Sequence, residues 1–152
     1  MFSFAAARAH RSGEDTNVAI IIRARRGAIL CVVLRNGRIV LPGGGRHRGE
    51  SNWDAVMREY KEETGIRPPS RDVVDVSSVP HIRRHGNGST TAIFHGQIRA
   101  DADWRYNRDG LLQRPSETTG LIWLTYDEMM ADRRVEGYVK KSLDEMRTLG
   151  LV

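Results

Sequence analysis

An α/β fold, with a mixed β-sheet between helices, is what this sequence predicts. Three observations lead there. Short β-branched apolar runs alternate with turn signals, a helix with both ends marked sits mid-chain, and helical spacing returns at the C-terminal end. At 152 residues, with 39% hydrophobic and 28% charged side chains, the chain has the size and balance of one globular domain. No apolar run approaches the roughly 20 residues of a membrane span. The single cysteine, Cys31, lies within an apolar run and can form no internal disulfide, which points to a buried core thiol. The opening MFSFAAARAHRS is basic and free of acids, with a faint transit-peptide character. We expect residues 1–15 to be a flexible tip and residues 16–152 a single domain, with the cytoplasm as default compartment.

The elements follow in order. Residues 18–24 (VAIIIRA) and 28–34 (AILCVVL) read as buried strands, parted by a turn at Arg25-Arg26-Gly27. Asn36-Gly37 is a strong hairpin signal, because both residues tolerate positive φ, and residues 38–41 return as a short strand. Pro42-Gly43-Gly44-Gly45 reads as the glycine-rich entry to a helix. Ser51 suits an N-cap, with Asp54 completing a capping box, and Gly65 suits the left-handed residue that ends a helix, so the helix covers residues 52–64. Strands are expected at 73–79, 81–85, 90–98 and 121–125. Residues 100–116 lack periodicity and read as a long loop, and helical spacing covers 126–133 and 135–149.

Charge is unevenly spread. The net is +5, yet residues 1–49 hold nine arginines against Glu14 and Asp15, a local +7 that leaves −2 for the rest. Arginine's planar fork suits phosphate oxygens, so an anionic substrate and a solvated basic surface are both consistent with this balance.

Chemistry concentrates between Gly44 and Ile66. Along the helix, Trp53, Val56, Met57, Tyr60 and Thr64 form one stripe suited to packing on a sheet, while Glu59, Glu62 and Glu63 share an adjoining arc around the small Ala55. Carboxylates at i, i+3 and i+4 repel by about a few tenths of a kcal/mol per pair. A hard divalent cation such as Mg²⁺ or Mn²⁺ offsets that repulsion, because it prefers carboxylate and water oxygens. Ala55 is expected to leave room for a phosphate above such ions. The glycines at 43–45 allow close backbone approach to metal or phosphate. Standing alone, the acidic arc would be read as a solvated helix face.

The full spacing is more specific. Gly44, Glu50 and then Arg58-Glu59-Tyr60-Lys61-Glu62-Glu63-Thr64-Gly65-Ile66 resemble the Nudix box, G-x5-E-x7-R-E-U-x-E-E-x-G-U, at all nine constrained positions in 23 residues, with the aromatic Tyr60 in a usually aliphatic place. The resemblance implies a Nudix-type α/β/α sandwich and a metal-dependent pyrophosphohydrolase acting on nucleoside diphosphates linked to a second moiety. It implies that Glu59, Glu62 and Glu63 ligate Mg²⁺ or Mn²⁺ with help from the Gly43 carbonyl, that Glu50 supports the site, and that Arg58 holds the glutamates. In such enzymes the metal polarises the diphosphate and supplies hydroxide near neutral pH. Glu117, six residues before Trp123, is placed for the family's general base, while His47, between Arg46 and Arg48, stands where many members have a glutamate.

Arg23, Arg46, Arg83 and Arg84 are the candidate substrate contacts, with Tyr106 and Trp104 as bases' stacking partners. Period-2 alternation puts Arg83 and His85 on one face and Arg84 on the other. Substrate candidates are capped RNA (decapping), diphosphoinositol polyphosphate, and small nucleotides such as ADP-ribose, dinucleoside polyphosphates or oxidised nucleoside triphosphates. The alternative is a non-catalytic Nudix-fold module that binds RNA or nucleotide. The expected partner is thus an anionic diphosphate-containing small molecule or capped RNA and not a membrane, for a monomer or homodimer.

Overall fold

The computed structural model describes residues 16–24, 26–65, 73–74, 76–99 and 118–152. Eight strands form one mixed sheet: β1 (Thr16–Arg23), β2 (Ile29–Leu34), β3 (Ile39–Val40), β4 (Gly43–Gly45), β5 (Val73–Val74), β6 (His81–Arg84), β7 (Thr90–Ile98) and β8 (Thr118–Leu124). The helices are α1 (Asn52–Thr64), α2 (Tyr126–Ala131) and α3 (Gly137–Thr148). The strand order is β3-β2-β1-β7-β5, with β4 on β1, β6 on β7 and β8 on β2. Among the named strands of the described residues, β1 and β7 pair in parallel, from Thr16↔Thr90 to Arg23↔Gln97, and the other strand pairs are antiparallel.

Both faces of the sheet are covered, which is why β1 and β2 read as nearly continuous apolar runs. On one face Val18, Ile20, Ile22, Leu30 and Phe94 pack with Val56, Met57 and Tyr60 of α1. On the other, Ile21, Cys31 and Ile93 pack with Met129 of α2 and Val139, Leu143 and Met146 of α3. The result is the expected α/β/α sandwich. No helix among the described residues is long and apolar enough to cross a membrane.

Several sequence expectations change in detail. The glycine run is a strand and not merely a turn: Gly43, Gly44 and Gly45 pair with Ala19, Val18 and Asn17. This edge of β1 is open because β2 meets β1 only at Arg23↔Ile29. The segment fits there because it lacks side chains; a Cβ on Gly43 would strike the Val18 carbonyl and lie 2.8 Å from Ala19 Cα. The strand expected at 73–79 is assigned only at Val73–Val74, although Ser77 still bonds the His95 backbone through its own N–H and its hydroxyl. The strand expected at 121–125 starts earlier, at Thr118, and ends at Leu124. The last helix starts later than its periodicity suggests, because residues 134–136 are held along β3, where the Ile39 N–H donates to Arg134 O and the Glu136 N–H to Ile39 O. Residues 1–15 and 100–116 lie outside the described residues.

Candidate active site

The helix α1 aims the acidic arc. The Ser51 hydroxyl accepts from the Asp54 N–H at 3.0 Å, the serine half of the capping box. At the other end Gly65 adopts φ 72° and donates its N–H to Lys61 O. With Val56, Met57 and Tyr60 anchored in the core, Glu59 and Glu63 are drawn in to 5% and 4% exposure, and Glu62 stays at the rim. Ala55 is fully buried in the core cluster, so it leaves no open space for a phosphate. That expectation fails because Ala55 lies on the flank of the apolar stripe.

β4 meets these carboxylates. The Gly43 N–H donates to Glu63 Oε1 at 2.7 Å, and a Cβ on Gly44 would stand 2.6 Å from the Glu59 carboxyl carbon. The glycines therefore make a cradle that a side chain would fill. Arg58 ties the group together. Its Nε and Nη2 donate to the two oxygens of Glu50 at 2.8 and 2.9 Å, its Nη1 to Glu59 Oε1 at 2.9 Å and Glu62 Oε2 at 3.3 Å, and Nη2 also to Gly45 O at 3.0 Å. The hydrogen bond to Arg58 holds the Glu50 carboxyl below the usual carboxylate range, and the same bond raises the guanidinium further above its ordinary value.

The donor set fits a divalent cation. Arg58 pairs with Glu50, Glu59 and Glu62, while Glu63 accepts from the Gly43 N–H, and Glu59 and Glu63 are buried. Hard carboxylate oxygens gathered in this way suit Mg²⁺ or Mn²⁺. Among the described residues no three acidic, histidine or cysteine groups stand ready as an ion cage. The glutamates instead face Arg58 and the Gly43 N–H, so binding an ion would require short side-chain movements.

Beside this cluster lies a cavity of about 610 Å³, in the size range of small-molecule sites. Gly43 and Gly44 form part of its wall, so β4 separates the cavity from the glutamates. The floor is β1 and β7, through Asn17, Ala19, Thr91 and Ile93; α3 closes one side with Tyr138 and Val139. Among the described residues no Lys, Arg, Asp or Glu lines it. The Tyr138 phenol is pushed above its ordinary value by burial, then by the charges of Glu136 and Glu63.

The basic residues singled out in the sequence are dispersed. Arg46 joins the acidic cluster from its rim, donating from Nη1 to Glu50 O at 2.9 Å. Arg23 sits four residues along β1 from Ala19, about 13 Å at strand spacing, at the far end of the sheet. Arg83 turns behind the cavity wall, its Nη1 at 2.8 Å from His85 Nδ1 and its Nε at 3.7 Å from Glu145. Arg84 is exposed on the opposite face of β6. Glu117, Tyr106 and Trp104 lie outside the described residues. The cavity residues Asn17, Thr91 and Tyr138 were missed in the sequence. Only Thr91 left a signal there, as a polar residue that alternation places with Ile93.

The family model described as NUDIX domain matches residues 13–144. This chain is a Nudix family member. A MutT-like protein from Streptomyces ambofaciens is 29% identical over 139 residues, covering 90% of this chain and 80% of that protein. Two solved structures share the fold. An ADP-ribose pyrophosphatase from Streptococcus suis aligns with a TM-score of 0.57 at 22% identity, covering 90% of this chain and 89% of its own. A Caenorhabditis elegans Ap4A hydrolase aligns at 0.60 with 14% identity, covering 88% and 95%. At such identities these two speak for the fold alone. Membership makes the chain a Nudix hydrolase, an enzyme acting on phosphorus-containing acid anhydrides, in a family that generally uses divalent metals.

Proposed function

We propose that this Nudix hydrolase cleaves a phosphoanhydride bond in a small nucleotide. Its base would enter the cavity, and its diphosphate would cross β4 to the glutamates. The observation that carries this reading is the shared wall. Gly43 and Gly44 border both the acidic cluster and a cavity without cationic lining among the described residues. A diphosphoinositol polyphosphate carries phosphates all round its ring and would need cations there. A flat base with one diphosphate needs an apolar slot beside a charged cradle. The ADP-ribose pyrophosphatase and the Ap4A hydrolase among its fold relatives are named for small nucleotides, which is in keeping with the reading.

In this scheme Glu59, Glu62, Glu63 and the Gly43 carbonyl hold Mg²⁺ or Mn²⁺. The ion, when bound, lowers the pKa of a coordinated water and neutralises charge on the phosphates. Arg58 fixes the glutamates through Glu50, and β4 excludes side chains from the space where the diphosphate lies. Glu117 is our candidate to take the proton from the attacking water, and Tyr106 to stack on the base. The test is product analysis with either metal against ADP-ribose, dinucleoside polyphosphates, oxidised nucleoside triphosphates, capped RNA and diphosphoinositol polyphosphate, beside Glu59→Gln. Cleavage of small nucleotides, lost in the variant, supports the reading. Preference for the inositol compound or for capped RNA contradicts it. Tight nucleotide binding unaltered by Glu59→Gln, with no turnover in either protein, would establish the non-catalytic module instead.

A further inference from the structure

The cavity floor carries a hydrogen-bond relay whose polarity is settled by what each group can donate. Arg83 Nη1 lies 2.8 Å from His85 Nδ1, and His85 Nε2 lies 2.7 Å from Thr91 Oγ1. A guanidinium only donates, so Nδ1 must be the accepting nitrogen and the imidazole hydrogen must sit on Nε2. Nε2–H then donates to Thr91 Oγ1. The threonine oxygen is engaged as an acceptor, and its own hydrogen has no partner among the described residues. Thr91 lines the cavity and is only 6% exposed, so that hydrogen is offered to whatever fills the cavity.

Two neighbours sharpen this. Asn17 is the register partner of Thr91 across the parallel β1–β7 pair, which puts the two side chains beside each other on one face, about 4.8 Å apart. The ring of Tyr138 stands edge-on to His85, with centroids 6.4 Å apart and planes at 90°. It helps hold the imidazole while its own half-exposed face borders the cavity. An aligned hydroxyl donor and an adjacent amide, over a floor that continues as Ala19 and Ile93, match the polar edge of a planar heterocycle.

We propose that Thr91 is the base-selecting residue of this enzyme: its hydroxyl, oriented by Arg83 through His85, donates to an acceptor atom on the edge of the substrate's base. Arg83, which is not part of the cavity lining, is a positioning residue acting through His85, and His85, which borders the cavity beside Thr91, orients the hydroxyl through Nε2. The inference rests on the nucleotide reading of the cavity.

The experiment is steady-state kinetics of wild type, Thr91→Val and Thr91→Ser on the best purine nucleotide and on its 1-deaza, 3-deaza and 7-deaza analogues, each of which lacks one ring acceptor, and on the matching pyrimidine nucleotides. Wild type should disfavour one acceptor-deleted substrate by about tenfold, the worth of one hydrogen bond in a dry site. Thr91→Val should abolish that one preference through KM, leaving kcat and the other ratios in place, and Thr91→Ser should keep it. Nitrogen-15 NMR of His85 should show the hydrogen on Nε2 in wild type and a mixed tautomer in Arg83→Met. Equal loss on every substrate, no loss at all, or a hydrogen on Nδ1 in wild type would overturn the proposal while leaving nucleotide hydrolysis intact. A wild-type enzyme that cleaves no nucleotide would remove the nucleotide reading and this inference with it.

Discussion

Gly44→Ala puts one methyl group where β4 meets the acidic cluster. The new Cβ would stand 2.6 Å from the Glu59 carboxyl carbon and 2.7 and 2.9 Å from its oxygens. Ordinary contact begins at 3.4 Å, so the carboxylate must retreat by roughly 0.8 Å. Glu59 has little room for that, being 5% exposed and bonded to Arg58 at 2.9 Å. A displacement approaching 1 Å at a reacting centre costs about a hundredfold in rate, whereas the overpacking itself should cost only about 1–3 kcal/mol of stability. We therefore expect kcat/KM to fall about a hundredfold and metal affinity about tenfold, in a protein that still melts cooperatively. Gly45→Ala is the matched control, because among the described residues no atom beyond its chain neighbours lies within 4 Å of its added Cβ. Metal-dependent turnover and calorimetric titration of Mn²⁺ into both variants would read the difference. If Gly44→Ala keeps turnover within about twofold of the control, Glu59 is not held where the reaction needs it.

Arg58→Ala leaves the buried Glu59 without its guanidinium and should lower stability by about 3 kcal/mol in urea unfolding, part of it regained with Mg²⁺ or Mn²⁺; a loss under about 1 kcal/mol would contradict the charge balance drawn here. Because the bond to Arg58 holds Glu50 below its usual value of 4.5, the stability it contributes is complete above that pH and is lost as pH falls through the lowered value. The urea-midpoint gap between wild type and Glu50→Gln should thus be constant from pH 7 to 5 and close below 4.5, and a gap that widens on acidification would refute the sign. Cys31 is fully buried, and burial foremost, then Asp132, pushes its thiol to about 12, so iodoacetamide should modify it only in denaturant. Modification at the native rate of a small-molecule thiol would disprove its burial.

What was legible in the sequence was local. Ser51 and Gly65 bracket α1 because capping is decided within a few residues, and Asn36-Gly37 marks its turn because Gly37 takes φ 84° while the Asn36 side chain accepts from the Arg38 N–H. The glutamates needed only helical spacing. What escaped was carried by contacts between distant segments. The glycines became a strand because β1 leaves its edge open, and nothing in the run itself announces that partner. Asn17 and Thr91 meet only through a parallel pairing whose two strands lie far apart in the chain. Arg83 looked like a phosphate contact by residue type, but His85 and Glu145, brought beside it by the β6 turn and by α3, draw it behind the cavity wall.

In the proposed function the glutamates facing β4 drive attack by water on a phosphoanhydride. Hydrolysis of ADP-ribose or a dinucleoside polyphosphate in ¹⁸O-labelled water tests it most directly, with Mg²⁺ or Mn²⁺ present or chelated and with Glu63→Gln alongside. One solvent oxygen is expected in one phosphate of a product per turnover, only with metal, with a rate lower by orders of magnitude in the variant. Label found outside phosphate, or labelled product at the wild-type rate from Glu63→Gln, would contradict it.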